Sequence, residues 1–124
     1  AYILRNKDGS ISDFSKLVWI SEDGELTHQN PDEFQWIQNG NYKSRETGAI
    51  YPISPSFTTK DPKSGTIRKF TVIPLMEEQE ILGKIGGVPY WEGACEVANE
   101  KGQVIGTAYL ELSGYSGNLK KRLN

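Results

Sequence analysis

Apolar and β-branched residues come in short runs along this chain: Lys16 to Ser21, Glu33 to Ile37, Ala49 to Ile53, Thr66 to Leu75, Tyr90 to Ala98 and Val104 to Ser113. None sustains a helical period over a useful length. Between the runs stand turn signals: Lys7-Asp8-Gly9, Glu22-Asp23-Gly24, Gln38-Asn39-Gly40-Asn41, Asp61-Pro62-Lys63-Ser64-Gly65 and Glu100-Lys101-Gly102. Asp-Gly and Asn-Gly pairs suit tight reversals because they tolerate positive φ angles. Short runs at this spacing predict an all-β antiparallel sandwich or barrel. Tyr2-Ile3-Leu4 reads as strand from the start. Pro52 to Pro55 reads as an edge or a bend, because proline cannot donate to a ladder. Met76 to Leu82 is the segment that could form a turn or two of helix, solvated because it carries glutamates at 77, 78 and 80.

The two longest runs make a specific claim about register. With Asn99 to Gly102 as a four-residue hairpin loop, Ala98 faces Gln103, Glu92 lies opposite Tyr109, and Tyr90 lies opposite Glu111. Both tyrosines and both glutamates then share one face, extended by the Ala94/Thr107 and Glu96/Ile105 pairs. The other face carries Trp91/Leu110, Gly93/Ala108, Cys95/Gly106 and Val97/Val104, and is the hydrophobic packing face. The Tyr/Glu face has two readings. Its residues are water-facing strand residues, or they line a cavity where a carboxyl group in apolar surroundings stays protonated as a general acid oriented by a tyrosine hydroxyl.

Composition narrows the chemistry. The 124 residues, 36% hydrophobic, fit one domain with a modest core. Fourteen basic against sixteen acidic residues give a net charge of -2, with no basic block to neutralise phosphates, so no nucleic-acid partner is expected. One cysteine, Cys95, precludes an internal disulfide framework, and one histidine, His28, cannot supply a Cys/His zinc site. Glu77, Glu78 and Glu80 lack the alternating oxygen ligands and glycine of a calcium loop. Neither a metal nor a cofactor is expected. Ser44 with His28 does not make a hydrolase triad, because no Gly-x-Ser-x-Gly elbow exists. His28 is expected on an exposed loop, Cys95 as a small core hydrophobe, and Lys120-Lys121-Arg122 as a fraying basic tail.

Three segments carry a resemblance: "KSRETGAIYP" at 43–52, "YWEG" at 90–93 and "GTAYLELSGY" at 106–115, with the acidic "EEQE" at 77–80 between the first two. In order and spacing they resemble the C-terminal lipocalin-like domain of the AttH-like and carotenoid 1,2-hydratase group, whose members are often labelled predicted secreted hydrolases. The resemblance implies an antiparallel lipocalin-like barrel or half-barrel with little helix. It implies that residues 1–124 are a single lipocalin-like domain, the C-terminal one of a longer two-domain protein, partnered by an N-terminal lipocalin-like domain of the same parent chain. A secreted or periplasmic location follows from the resemblance alone. The chain departs from the family at Tyr42 and Pro55, where tryptophan is usual, and at Arg45, where proline is usual. These changes remove aromatic surface from an apolar pocket.

For mechanism, the resemblance implies addition of water across an isolated carbon–carbon double bond, which needs a strong proton donor, aromatic faces and a positioned water. Glu92 would be the acid, Tyr90 and Tyr109 its orienting or cation-stabilising neighbours, and Glu111 the water-positioning base. Three expectations follow. The first is a lipocalin-like domain binding a small apolar ligand, isoprenoid or lipid-like. The second is an alkene hydratase or cyclase acting through Glu92, and the third a domain that supports assembly of a larger protein. An open sheet edge would favour a homodimer.

Overall fold

A computed structural model of the chain describes residues 1–83 and 87–117; Lys120-Lys121-Arg122 lie outside the described residues. The expected all-β, antiparallel class holds. Ten strands form: β1 Leu17–Ile20, β2 Leu26–Gln29, β3 Phe34–Ile37, β4 Asn41–Lys43, β5 Ile50–Pro52, β6 Ser56–Lys60, β7 Ile67–Pro74, β8 Glu80–Ile81, β9 Tyr90–Ala98 and β10 Val104–Leu112. No described residue is helical. The packing divides the chain into two compact units, one of Ala1–Trp36 with Phe57–Lys69, the other of Ile37–Ser56 with the chain from Phe70 onward.

In the first unit β1 and β2 form a hairpin, with Leu17 opposite Gln29 and Trp19 opposite Thr27, while β7, β6 and β3 are neighbours in hydrogen-bonded order. The run expected at Tyr2 to Leu4 reduces to isolated bridges, Tyr2 to Lys16 and Arg5 to Ile11. Fully buried Ser15 ties this stretch down: its Oγ accepts from Leu4 N at 2.9 Å and donates to Leu4 O at 3.2 Å. His28 is exposed as expected, but it stands in β2 rather than in a loop.

In the second unit the order is β10, β9, β7, with β8 also pairing β9, and β4 pairs β5 separately. Among the described residues neither path closes, which is the half-barrel form of the expected architecture. The core is Trp91 and Tyr51, both fully buried, with Cys95, Ile53, Val72 and Ala98 around them. Trp91 Nε1 donates to Glu77 O at 2.7 Å, so its polar edge is satisfied inside the core. Gly93 is backbone only because Gln79 lies on it: a Cβ there would stand 2.1 Å from the Gln79 side-chain amide carbon. Gly40, at φ +64°, is doubly constrained, since a Cβ would also meet Ser54 Cβ at 2.7 Å.

The β9/β10 register differs from the expected one. The loop has five residues, Asn99 to Gln103, between paired Ala98 and Val104, and a bulge follows between Val104 and Gly106. Asn99 sets the length: its Oδ1 accepts from Lys101 N and Gln103 N, both at 3.0 Å, and its own N–H donates to Gln103 O. The extra loop residue and the bulge shift the pairing by two in all. Glu92 therefore faces Glu111 rather than Tyr109, and Tyr109 faces Ala94. A shift of one would have turned every side chain over; a shift of two preserves the faces. Trp91, Gly93 and Cys95 remain on the buried side as expected.

Met76 to Leu82 is not helical; it is an irregular segment ending in β8. Glu77 and Glu78 are exposed as expected, whereas Glu80 is half-buried and pinned by side chains of the β4–β5 hairpin, which holds the backbone extended.

Candidate functional site

The hairpin brings Tyr90, Glu92, Tyr109 and Glu111 onto one face of the second unit. Glu92 and Glu111 are directly opposite on adjacent strands, and Tyr90 OH donates to Glu92 Oε1 at 3.3 Å. Desolvation pushes the Tyr90 hydroxyl up from its ordinary pKa, with further contributions from Glu92, Glu111 and Tyr109, so all three lie within electrostatic reach of Tyr90. The face is wet: Tyr109 is 68% exposed, and Glu111 and Ala94 are exposed, while Tyr90 and Glu92 are half-buried. Glu111 also accepts from Ser113 Oγ at 3.1 Å. The arrangement sets two carboxyl groups opposite each other on adjacent strands, on a face that opens to solvent.

A second cluster escaped the sequence reading, although its members lie in the segments that carry the resemblance. The Glu80 carboxylate accepts three hydroxyls, from Ser44, from Thr47 Oγ1 at 2.6 Å and from Tyr51 OH at 2.7 Å. Ser44 is 3% exposed and Tyr51 is not exposed at all. The Ser44 hydroxyl also accepts from Glu46 N and Thr47 N, closing the turn between β4 and β5. Desolvation acts to raise the Glu80 pKa, but the three hydroxyl bonds together outweigh it and hold the carboxyl below its ordinary range. Burial, together with the same carboxylate, pushes the Tyr51 hydroxyl far up. A carboxylate held ionised in this way carries no proton to donate near neutral pH, and its three bonds clamp β8 to the β4–β5 hairpin.

The third feature lies in the first unit. Trp19 Nε1 donates to Thr59 Oγ1 at 3.3 Å, and Thr59 in turn donates to Gln29 Oε1. Gln29 Nε2 donates to Lys60 O at 2.8 Å. Phe57, two residues from Thr59 on β6, shares its face and stacks on Trp36 with ring centroids 5.4 Å apart and planes 11° from parallel. Trp19, Trp36 and Phe57 therefore line one face, which buried Leu17 and Phe34 share by alternation along β1 and β3, and all three are half-buried. An open depression of about 260 Å³ in the same unit takes Phe34 and Thr59 into a lining that is otherwise Asp32, Glu33, Gln35, Thr58, Lys60 and Ile67, and it includes none of the three rings. Nothing in the spacing of Trp19, Trp36 and Phe57 announced this face. It depends on β6, whose sequence SFTTK hides two buried polar residues, Ser56 and Thr59.

A family model described as AttH-like matches residues 1–115. Among solved structures the chain is similar to a candidate AttH from Nitrosomonas europaea, with 28% identity and a TM-score of 0.77. The similarity covers 93% of this chain and 33% of that one, so the chain spans about a third of the length of its structural relative. A comparison with curated proteins gave no match.

Proposed function

The chain belongs to the AttH-like family, and from that premise we propose that it is a lipocalin-like module that holds a small apolar ligand, isoprenoid or lipid-like, against the face of Trp19, Trp36 and Phe57. The observation that carries the reading is the partial exposure of those three residues on one face. A ring pair stacked at 5.4 Å and still partly wet leaves apolar area that a ligand can cover. The Gln29 and Thr59 side chains beneath bond to each other and to their neighbours, so the floor of the face is already satisfied. The test is a tryptophan-fluorescence titration with a panel of isoprenoids and fatty acids. Trp19 and Trp36 are placed to report, whereas Trp91 is fully buried and not on that face, so it contributes a constant background. Saturable quenching that Trp36→Ala abolishes supports the reading; no saturable response across the panel refutes it.

One observation favours a second reading, alkene hydration at the β9/β10 face. Glu92 has both a tyrosine hydroxyl on it and a carboxylate opposite, the residue types needed for a proton donor, its orienting group and a base for water. Here Glu92 protonates the alkene and Glu111 takes a proton from the attacking water. Glu92→Gln should then abolish turnover of an alkene substrate and leave ligand binding at Trp36 intact. Turnover that survives the change would dismiss this reading. The N-terminal lipocalin-like domain implied by the family resemblance would complete either arrangement in a longer protein.

A further inference from the structure

We propose that β10 is an interaction edge, and that it pairs antiparallel with β10 of a second copy of this chain. Strand β10 runs nine residues, Val104–Leu112, and is the terminal strand of its sheet path, with β9 on one side and no strand on the other among the described residues. A strand in that position presents a row of unpaired N–H and C=O groups, which proteins ordinarily blunt with lysine, proline, short length or bulges. Here those defences are sparse. The strand has no proline and no basic residue, its bulge is confined to the Val104/Gly106 end, and Gly106 to Leu112 pairs regularly with β9. Among the other strands, β3 has four residues, β4 three and β8 two. The β10 edge is also apolar: Val104 is 55%, Ile105 49% and Tyr109 68% exposed.

The sequence of β10 argues for a second copy over an unrelated strand. A two-fold axis at the central residue, Ala108, pairs the regularly extended positions Gly106–Leu110 and brings the bulged Val104–Ile105 end against Glu111–Leu112. It sets Thr107 against the other copy's Tyr109, Gly106 against Leu110, Ile105 against Glu111, and Val104 against Leu112. The large side chains Tyr109 and Leu110 meet the smaller Thr107 and Gly106. Glu111, the strand's one charge, meets an isoleucine instead of its own copy, so no like charges oppose. Pairing in this register continues each sheet into the other and covers the exposed Tyr109 ring.

Sedimentation equilibrium on the full chain, with disulfide trapping, tests this. The expected result is a concentration-dependent species of twice the 13.9 kDa chain mass. The double substitution Thr107→Lys with Tyr109→Lys places lysine opposite lysine twice and should weaken the dimer by roughly tenfold or more, with an unchanged far-UV circular dichroism spectrum. Because Thr107 meets Tyr109 across the axis, a mixture of Thr107→Cys and Tyr109→Cys chains should oxidise to a covalent dimer, and neither should do so alone. Both positions lie on the face away from Cys95, which is 1% exposed and does not compete. A monomer up to sub-millimolar concentration overturns the proposal. So does a dimer that the lysines leave intact, or one that either cysteine variant traps equally well alone.

Discussion

Replacing Glu80 by alanine should destabilise the protein by about 3–5 kcal/mol, far more than the same change at Glu77 or Glu78. The figure follows from what the carboxylate holds. It accepts hydroxyls from Ser44, Thr47 and Tyr51, and hydrogen bonds to an ionised acceptor are worth roughly 1.5–3 kcal/mol each. They are not additive, because the three donors share one acceptor. Removing it also leaves the hydroxyls of Ser44, 3% exposed, and Tyr51, fully buried, without their acceptor, a cost of about 1–3 kcal/mol per group. Relaxation and water entry into the half-buried site reduce the total to the range given. Glu77 and Glu78 are exposed, and their replacement should stay within about 0.5 kcal/mol. Urea unfolding followed by far-UV circular dichroism, with the three variants compared at equal m-value, measures the difference. A Glu80→Ala protein within about 0.5 kcal/mol of the parent would refute the argument that this carboxylate clamps β8 to the β4–β5 hairpin.

The same clamp predicts an acid dependence. Glu80 titrates below its ordinary value near 4.5 in the folded protein, so its contribution is complete above that value and is lost as pH falls through the lower, folded pKa. Glu80→Gln should flatten the fall in stability on acidification in a pH series of urea midpoints; parallel slopes would contradict this. Trp91→Phe should cost about 2–3 kcal/mol in the same unfolding assay, from loss of the 2.7 Å bond to Glu77 O and a partly emptied core site. Cys95 is 1% exposed and burial pushes its thiol up, so a disulfide reagent such as DTNB should label it only as fast as the protein unfolds; immediate labelling of the native chain would show the β9 packing face to be open.

What the sequence disclosed was what local chemistry dictates. Gly9, Gly24, Gly40, Gly65 and Gly102, each in one of the five turn signals, all have positive φ, and the six apolar runs contain β1, β3, β5, β7, β9 and β10. The strands that went unread are those whose stability comes from elsewhere. β2 and β6 bury Gln29 and Thr59 instead of apolar side chains, so alternation is muted. β4 and β8, with three and two residues, are held by the hydroxyl clamp on Glu80. The hairpin faces came out correctly and the pairs did not, because Asn99 side-chain bonds hold a fifth residue in the loop and a bulge at Val104/Gly106 adds a second step, neither of which a residue pattern encodes. Of the site, the grouping of Tyr90, Glu92, Tyr109 and Glu111 was legible from alternation alone. The Glu80 clamp and the Trp19, Trp36 and Phe57 face join residues far apart in sequence and became visible only with the strands in place.

The most direct test of ligand binding at the aromatic face is to follow the three indole N–H signals by ¹⁵N-resolved NMR during titration with an isoprenoid alcohol. The account predicts saturable shifts at Trp36 and Trp19, with Trp91, fully buried and bonded to Glu77 O, unmoved. Shifts confined to residues of the Tyr90–Glu92 face, or no shift at any of the three indoles, would contradict it.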